Sequence, residues 1–342
     1  ILMSDYKKAH TYPALQPLAW LYGRVMRIRN KRFDTGRTPI TAVSVPVISV
    51  GNLSVGGTGK TPMCLWLLRL LLAEGRHPAM LSRGYGRKTR GFLHANTNST
   101  SREVGDEPIE VARTFAGKLP VFVCENRVHG AQRLLQADAN VDTIVLDDAY
   151  QHRFLHRDIN ILLTDYHRLY TRDRVLPQGR LRELPEGAKR ADIVVVTKCP
   201  ADMSAEEVRL TMGELNLMPK QKAYFSAISY EPLHIDDLAS RRVLVFTGIA
   251  KPQYLIDRYK NQCRSLQTMR FADHHQFSAK DMKRISAAAD NVDTVITTGK
   301  DFSRLPSPLP PSLQAKLHVQ HIGVNILFDQ EEELKRLILS KL

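Results

Sequence analysis

Val47-Ile48-Ser49-Val50-Gly51-Asn52-Leu53-Ser54-Val55-Gly56-Gly57-Thr58-Gly59-Lys60-Thr61 runs from a β-branched apolar segment straight into a glycine-rich turn ending in Gly-Lys-Thr. It reads as a phosphate-binding loop, with Ser54, Val55, Gly56, Gly57, Thr58, Gly59, Lys60 and Thr61 against a nucleotide. Glycines let backbone N–H groups approach phosphate oxygens, the lysine reaches the β and γ phosphates, and the threonine hydroxyl ligates magnesium. Pro62 stands in the first turn of an apolar helical stretch, Met63 to Ala73. There its missing N–H costs nothing, and the helix dipole favours an anion. Ser54 departs from the general pattern, which has glycine five residues before Gly59. The competing reading is a purely structural glycine turn, and the strand before it and helix after it argue against that.

Past this loop, short apolar strands alternate with helical stretches. That rhythm predicts an α/β fold with a mostly parallel sheet and helices on both faces. Predicted strands include Ala79-Leu81, Val121-Val123, Thr143-Leu146, Ile159-Leu163 and Ile193-Thr197. Thr143-Ile144-Val145-Leu146 ends in Asp147-Asp148, a Walker B-like placement where carboxylates hold magnesium or its water shell. Ile193-Val194-Val195-Val196-Thr197-Lys198 invites comparison with the guanine-selecting Asn/Thr-Lys-x-Asp element, but Pro200 stands where the aspartate is needed. ATP is therefore expected over GTP.

The chain has 342 residues, enough for about two domains. Lys and Arg outnumber Asp and Glu by 49 to 35, which implies an anionic partner: nucleic acid, a phospholipid surface or a phosphorylated substrate. Basic residues are not interleaved with aromatics in a groove-like pattern, so nucleic acid is not expected. Cys64, Cys124, Cys199 and Cys263 lie far apart without ligand spacing, which fits a reducing compartment and neither zinc nor a disulfide framework. No secretory signal is visible, and Ile1-Leu2 before Met3 reads as an expression remnant.

Near the N-terminus, Leu18, Leu21, Tyr22, Val25 and Ile28 recur at helical spacing with Arg24, Arg27 and Lys31 on another face. The stretch is too short and too charged to span a bilayer. It suits either a helix lying on an anionic membrane surface or one packed on the body with a solvated basic face. Ser82-Arg83-Gly84-Tyr85-Gly86-Arg87-Lys88-Thr89-Arg90 follows the second strand, where its arginines either hold phosphate or form a solvated loop. Gly105-Asp106-Glu107-Pro108 opens a helix, and Phe271-Ala272-Asp273-His274-His275 lies far downstream. Asp106 and Glu107 suit a helix N-terminus, and His274 with His275 suits a solvated loop or a metal pair. A transfer to a hydroxyl also needs a base, for which a His held by an Asp is well suited near neutral pH.

Taken in order, these segments, with Leu146-Asp147-Asp148-Ala149-Tyr150-Gln151, Leu176-Pro177-Gln178-Gly179-Arg180-Leu181-Arg182-Glu183, Phe246-Thr247-Gly248-Ile249-Ala250-Lys251-Pro252 and Thr297-Thr298-Gly299-Lys300-Asp301, resemble the tetraacyldisaccharide 4'-kinase family. The resemblance covers nearly the whole chain. That family also has serine at the position of Ser54, whereas Gly299 stands here for the family's glutamate. The resemblance implies transfer of the ATP γ-phosphate to the 4'-hydroxyl of a tetraacyldisaccharide 1-phosphate, in lipid A biosynthesis on the cytoplasmic side of the inner membrane of Gram-negative bacteria. It implies Asp106 and His274 as a catalytic dyad and Lys60 on the transferring phosphate. Thr61, Asp147, Asp148, Gln151 and Glu183 would build or orient the magnesium site, with Arg83 and Arg127 near substrate or phosphate.

The implied architecture is a P-loop core and a smaller α/β domain joined by a two-stranded linker, with ATP in the cleft. The expected boundaries are a membrane-associating region at 1–33, the core at 34–222, linker strands at 223–232 and 318–328, the small domain at 233–317 and a terminal helix at 329–342. The chain is expected as a monomer. The alternative from another class is a membrane-associated P-loop NTPase switch or targeting factor, which leaves Asp106 and His274 without a task.

Overall fold

The computed structural model describes residues 11–306 and 308–342. The first ten residues of the expected 1–33 region lie outside them. The strands in chain order are β1 (Val47–Asn52), β2 (Pro78–Ser82), β3 (Leu93–Ala95), β4 (Val121–Val123), β5 (Thr143–Asp147), β6 (Ile159–Asp165), β7 (Ile193–Thr197), β8 (Lys222–Tyr230), β9 (Arg242–Thr247), β10 (Ser265–Arg270), β11 (Thr294–Thr298), β12 (Leu317–Gln320) and β13 (Ile322–Ile326). The helices are α1 (Gln16–Asp34), α2 (Lys60–Ala73), α3 (Ser101–Val104), α4 (Asp106–Thr114), α5 (Arg127–Ala137), α6 (Ala205–Leu215), α7 (Gln253–Lys260), α8 (Ala279–Ala289), α9 (Gly299–Phe302), α10 (Pro311–Gln314) and α11 (Glu331–Leu339).

The large sheet has nine strands in the order β13-β8-β7-β6-β1-β5-β2-β4-β3. All neighbours pair in parallel except β3 with β4 and β8 with β13. The phosphate-loop strand β1 lies inside this sheet and every residue of it is buried. Its β-branched run alternates between two cores: Ile48 and Val50 meet α2, α4 and α11, while Val47 faces Ala131 and Leu134 of α5. Burial on both faces is why these strands read as continuous apolar runs. For the same reason α2 is apolar nearly all round, with Met63, Cys64, Leu65, Leu67, Leu68, Leu70 and Leu71 buried.

The small sheet, β10-β9-β11-β12, is wholly parallel. Leu244, Phe246 and Val295 pack on α8, and Val243, Val245 and Ile296 pack on α7. The chain passes into this unit after β8 and returns at His321. The two passages run side by side, joined by Glu231 N–H to His321 O at 3.2 Å and Gln320 Nε2 to Glu231 O at 2.7 Å.

One expectation needs correction. The segment 318–328 is not one linker strand: His318–Gln320 hydrogen-bonds to β11 of the small sheet, and only Ile322–Ile326 pairs with β8. His321 lies between the two strands, so the change of sheet is confined to one residue. The N-terminal helix is packed on the body, yet its outward side is not simply a basic face. Ala19, Gly23 and Phe33 are buried, while Leu18, Trp20, Leu21, Val25 and Ile28 are each more than half exposed. Tyr22 Oη donates to Arg182 O at 2.6 Å, Arg29 to Gln151 O at 2.7 Å and Asn30 to Glu183 at 2.7 Å. The helix thus docks through Ala19, Gly23, Phe33 and these polar contacts and turns its apolar stripe outward.

Candidate active site

The phosphate loop closes the C-terminal end of β1, beside the ends of β5 and β6, where ligands gather in open α/β sheets. Gly56 and Gly59 take φ of +107° and +87°, the left-handed region that glycine enters freely. Gly59 is followed directly by α2, so the helix starts three residues earlier than its apolar pattern suggests and Thr61 lies in its first turn. The loop is tied from below: Asn52 Nδ2 donates to Thr58 Oγ1 at 2.7 Å and Thr197 Oγ1 to Thr58 O at 2.9 Å. Lys198, at the end of β7, donates to Gly57 O and to Asp165 Oδ2. The Thr197-Lys198 pair therefore fastens the loop in place.

Lys60 Nζ lies 3.9 Å from Asp148 Oδ1. Asp147 is buried at the end of β5, accepting from Ser82 Oγ at 3.2 Å. Burial pushes its carboxyl up to about 7, with the negative charges of Glu107 and Asp148 adding and Lys60 opposing. Asp148 turns away in the left-handed region at φ +47°. Burial opposes its ionisation too, but Lys60 and Arg182 outweigh that and hold it below the usual range. A buried carboxyl strained in this way gains from a nearby cation.

The expected metal group divides. Thr61, Asp147 and Asp148 share the neighbourhood of Lys60 and offer hard oxygens to an ion that keeps phosphate and water ligands as well. Glu183 is buried with both oxygens engaged: Asn30 donates at 2.7 Å, Gln151 at 3.0 Å and Arg190 at 2.8 Å. Gln151 Nε2 also donates to Asn52 O at 2.9 Å. These two brace the end of β1 from behind, because the donors from α1 and Arg190 already saturate the carboxylate. No group of three or more His, Cys, Asp or Glu side chains at metal-holding spacing occurs among the described residues.

Arg182, next to Glu183, was not singled out from sequence. It reaches Asp148 Oδ1 at 2.6 Å and also bonds Asn52 Oδ1. Its membership of the Leu176–Glu183 segment was the available signal. Arg127 opens α5 and is 3% exposed; one nitrogen donates to Glu125 O at 2.9 Å and Nε has no partner. Burial lowers it to about 10 against the attraction of Asp147. Arg83 is exposed at the rim with Tyr85, whose ring stands edge-on to His274 at 6.2 Å.

A second group of side chains forms where the small-sheet unit meets α4. Asp106 begins α4, and its Oδ2 lies 2.8 Å from Nδ1 of His274, 168 residues away. His274 is in the left-handed region at φ +59°, in the loop after β10. That is an uncommon conformation for a side-chain-bearing residue, and it aims the imidazole at α4. Burial opposes the ionisation of Asp106, but the His274 hydrogen bond and the Arg304 charge hold its carboxyl below the usual range. Lys300 Nζ sits 3.4 Å from His274 Nε2 and 3.5 Å from Glu107. His275 turns instead to Asp281, at 3.0 Å, and stacks on Phe271, so the two histidines form no metal pair. The arrangement places a carboxylate-held imidazole from the small-sheet unit at the N-terminus of α4. With Nδ1–H directed at Asp106, Nε2 keeps the lone pair that can take a proton.

A family model described as Tetraacyldisaccharide-1-P 4'-kinase matches residues 11–342. The curated Tetraacyldisaccharide 4'-kinase of Flavobacterium johnsoniae is 42% identical over 337 residues, covering 94% of this chain and 98% of the relative. That of Bacteroides thetaiotaomicron is 38% identical over 351 residues, covering 95% and 92%. Among solved structures, the "apo" form of LpxK from Aquifex aeolicus in complex with ATP aligns with a TM-score of 0.74 at 29% identity, covering 96% of this chain and 98% of that one.

Proposed function

The chain belongs to the tetraacyldisaccharide 4'-kinase family, an ATP-dependent enzyme family of lipid A biosynthesis, and from that premise we propose how its residues divide the work. The reaction moves the γ-phosphoryl of ATP to the 4'-hydroxyl of a tetraacyldisaccharide 1-phosphate, forming lipid IV-A. The bond from the 4'-oxygen to phosphorus forms as the bond from phosphorus to the β-phosphate oxygen breaks. His274 Nε2 takes the hydroxyl proton, while Asp106 accepts from Nδ1–H and balances the imidazolium charge as it develops. Lys60 and the backbone N–H groups from Ser54 to Thr61 hold the phosphates, and Lys60 follows the charge on the transferring group. Arg127 binds phosphate from its buried place at the start of α5, and Arg83 from the rim.

Thr61, Asp147 and Asp148 would hold magnesium, which supplies charge neutralisation on the phosphates. The raised carboxyl of Asp147 supports that assignment, since a cation relieves the repulsion it shares with Asp148 and Glu107. Gln151 and Glu183 orient this group. A base from the small sheet and a phosphate loop from the large one make closure a condition of transfer, which limits idle hydrolysis.

The substrate's acyl chains call for a membrane. No described helix is long and apolar enough to cross one. The outward stripe Leu18, Trp20, Leu21, Val25 and Ile28, bordered by Arg24 and Arg27 on a chain of net charge +14, supports peripheral contact with an anionic surface, the cytoplasmic face of the inner membrane. The enzyme acts as a monomer of core and small domain, without nucleic acid. The contact of Asp106 with His274 at 2.8 Å carries the mechanistic reading. Incubation with γ-labelled ATP and detergent-dispersed disaccharide 1-phosphate tests it: label moves to lipid in the unaltered chain and stays on ATP with His274→Ala. Equal lipid labelling by both refutes it.

A further inference from the structure

Arg304 follows α9 on the small-sheet side, and its side chain is wholly buried, at 0% exposure. Its Nε donates to Asp106 Oδ2 at 2.8 Å, the same oxygen that faces His274 Nδ1. Nη1 donates to Gly248 O at 3.1 Å and to Asp301 Oδ1 at 3.3 Å, and Nη2 lies 3.5 Å from His274 Nδ1. A guanidinium removed from water needs carboxylate partners. Asp301 is only a partial one. Thr247 and Thr298 hydroxyls donate to its Oδ2 at 2.6 and 2.7 Å, and the Gly248 N–H to its Oδ1 at 2.9 Å. Asp106, from α4 of the large-sheet unit, completes the compensation.

We propose that Arg304 is a positioning residue of the phosphoryl-transfer base: it fixes the Asp106 carboxylate against the small-sheet unit and disfavours protonation of His274 before substrate arrives. This rests on Asp106 and His274 being that base. The guanidinium takes one carboxylate from α4 and one from its own unit, so it ties that helix to the small sheet. It also explains why three separated segments meet at one point: Phe246–Gly248 supplies Gly248 O, Thr297–Asp301 supplies the Asp301 anchor, and Asp273-His274 supplies the imidazole.

Charges of both signs face His274. Asp106 and Asp273, the latter 3.9 Å from Nε2, favour the imidazolium. Arg304 at 3.5 Å from Nδ1 and Lys300 at 3.4 Å from Nε2 oppose it, with Glu107 drawing on Lys300 from 3.5 Å. Tyr85 adds only its neutral ring edge. Removing the Arg304 charge leaves the carboxylates in excess, so a larger share of His274 is protonated at a given pH and cannot act as base.

The test is kcat against pH from about 6 to 9 for the full chain and for Arg304→Gln and Arg304→Lys, with lipid acceptor in detergent and saturating ATP. Arg304→Gln is expected to lower kcat about 10- to 100-fold near neutrality and to move the acid limb up by about one pH unit. The KM for ATP stays within about twofold of the unaltered chain, because Arg304 does not touch the phosphate loop. Arg304→Lys keeps the charge and loses the fork, so kcat falls about fivefold with the acid limb unmoved. Unaltered kcat in Arg304→Gln, or a fall with an unmoved acid limb, overturns the proposal. If Arg304→Gln does not fold, Arg304→Lys decides: a shifted acid limb or full kcat overturns it. Asp106→Asn and His274→Ala run alongside. Should both retain full activity, the base assignment itself fails; should both lose activity while Arg304→Gln behaves as the unaltered chain, only the role of Arg304 fails.

Discussion

Asp106→Asn keeps the shape of the side chain and removes its charge. In the structure the carboxylate is 8% exposed and its Oδ2 lies 2.8 Å from His274 Nδ1 and 2.8 Å from Arg304 Nε. An imidazolium forming on His274 during transfer gains on the order of 6 kcal/mol from a unit charge at that distance with an effective dielectric constant of about 20. His274 is 39% exposed, so solvent screening brings the loss to about 3 to 5 kcal/mol. Arg304 then faces the imidazole without its counter-charge, which acts in the same direction. The expected result is a kcat lowered by about a hundred- to ten-thousandfold, with KM for ATP nearly unchanged. Initial rates of label transfer from ATP to lipid, with nucleotide affinity measured in parallel, supply both numbers. A kcat within about fivefold of the unaltered chain would refute the argument that this carboxylate balances charge in the transition state.

Glu110, on α4 facing α9, has its carboxyl pushed up to about 7, chiefly by burial. A carboxyl raised on folding takes up protons as the chain folds, so its contribution to stability is present below the unfolded value of about 4.3 and lost as pH rises through 7. Glu110→Gln should therefore melt like the unaltered chain at about pH 4 and higher than it at about pH 8; parallel melting curves across that range would contradict the sign. Leu21→Glu with Val25→Glu places charge on the outward stripe of α1, where both residues are 56% exposed, and should weaken binding to anionic vesicles without lowering the melting temperature. Unchanged co-sedimentation with vesicles would remove that helix face from the membrane contact.

What the chain discloses before folding depends on how local the cause is. The phosphate loop was legible because glycine spacing, a β-branched run and a following apolar helix are all contained in Val47–Ala73. The strands β5, β6 and β7 were legible for the same reason, since burial on both faces leaves an uninterrupted apolar signature. The change of sheet at His321 was not, because β12 and β13 are each short and strand-like and one residue separates them. Nor did Glu183 show from sequence that it turns toward Asn30 and Arg190; adjacency to Arg182 fixes neither face. The dyad of Asp106 and His274 came from family resemblance and not from pattern, because 168 residues and two sheets separate its members. Arg304 looks in sequence like any surface arginine after a short helix, and contacts with nearby Asp301 and with Gly248 and Asp106, both distant in sequence, accompany its burial.

Where the phosphate goes separates transfer to lipid from hydrolysis. Phosphorus NMR of the lipid recovered after incubation with ATP and a disaccharide 1-phosphate reads this directly. The account predicts a second phosphomonoester signal, at the 4'-position, with the unaltered chain and its loss with His274→Ala. Release of inorganic phosphate with no second lipid signal would contradict it.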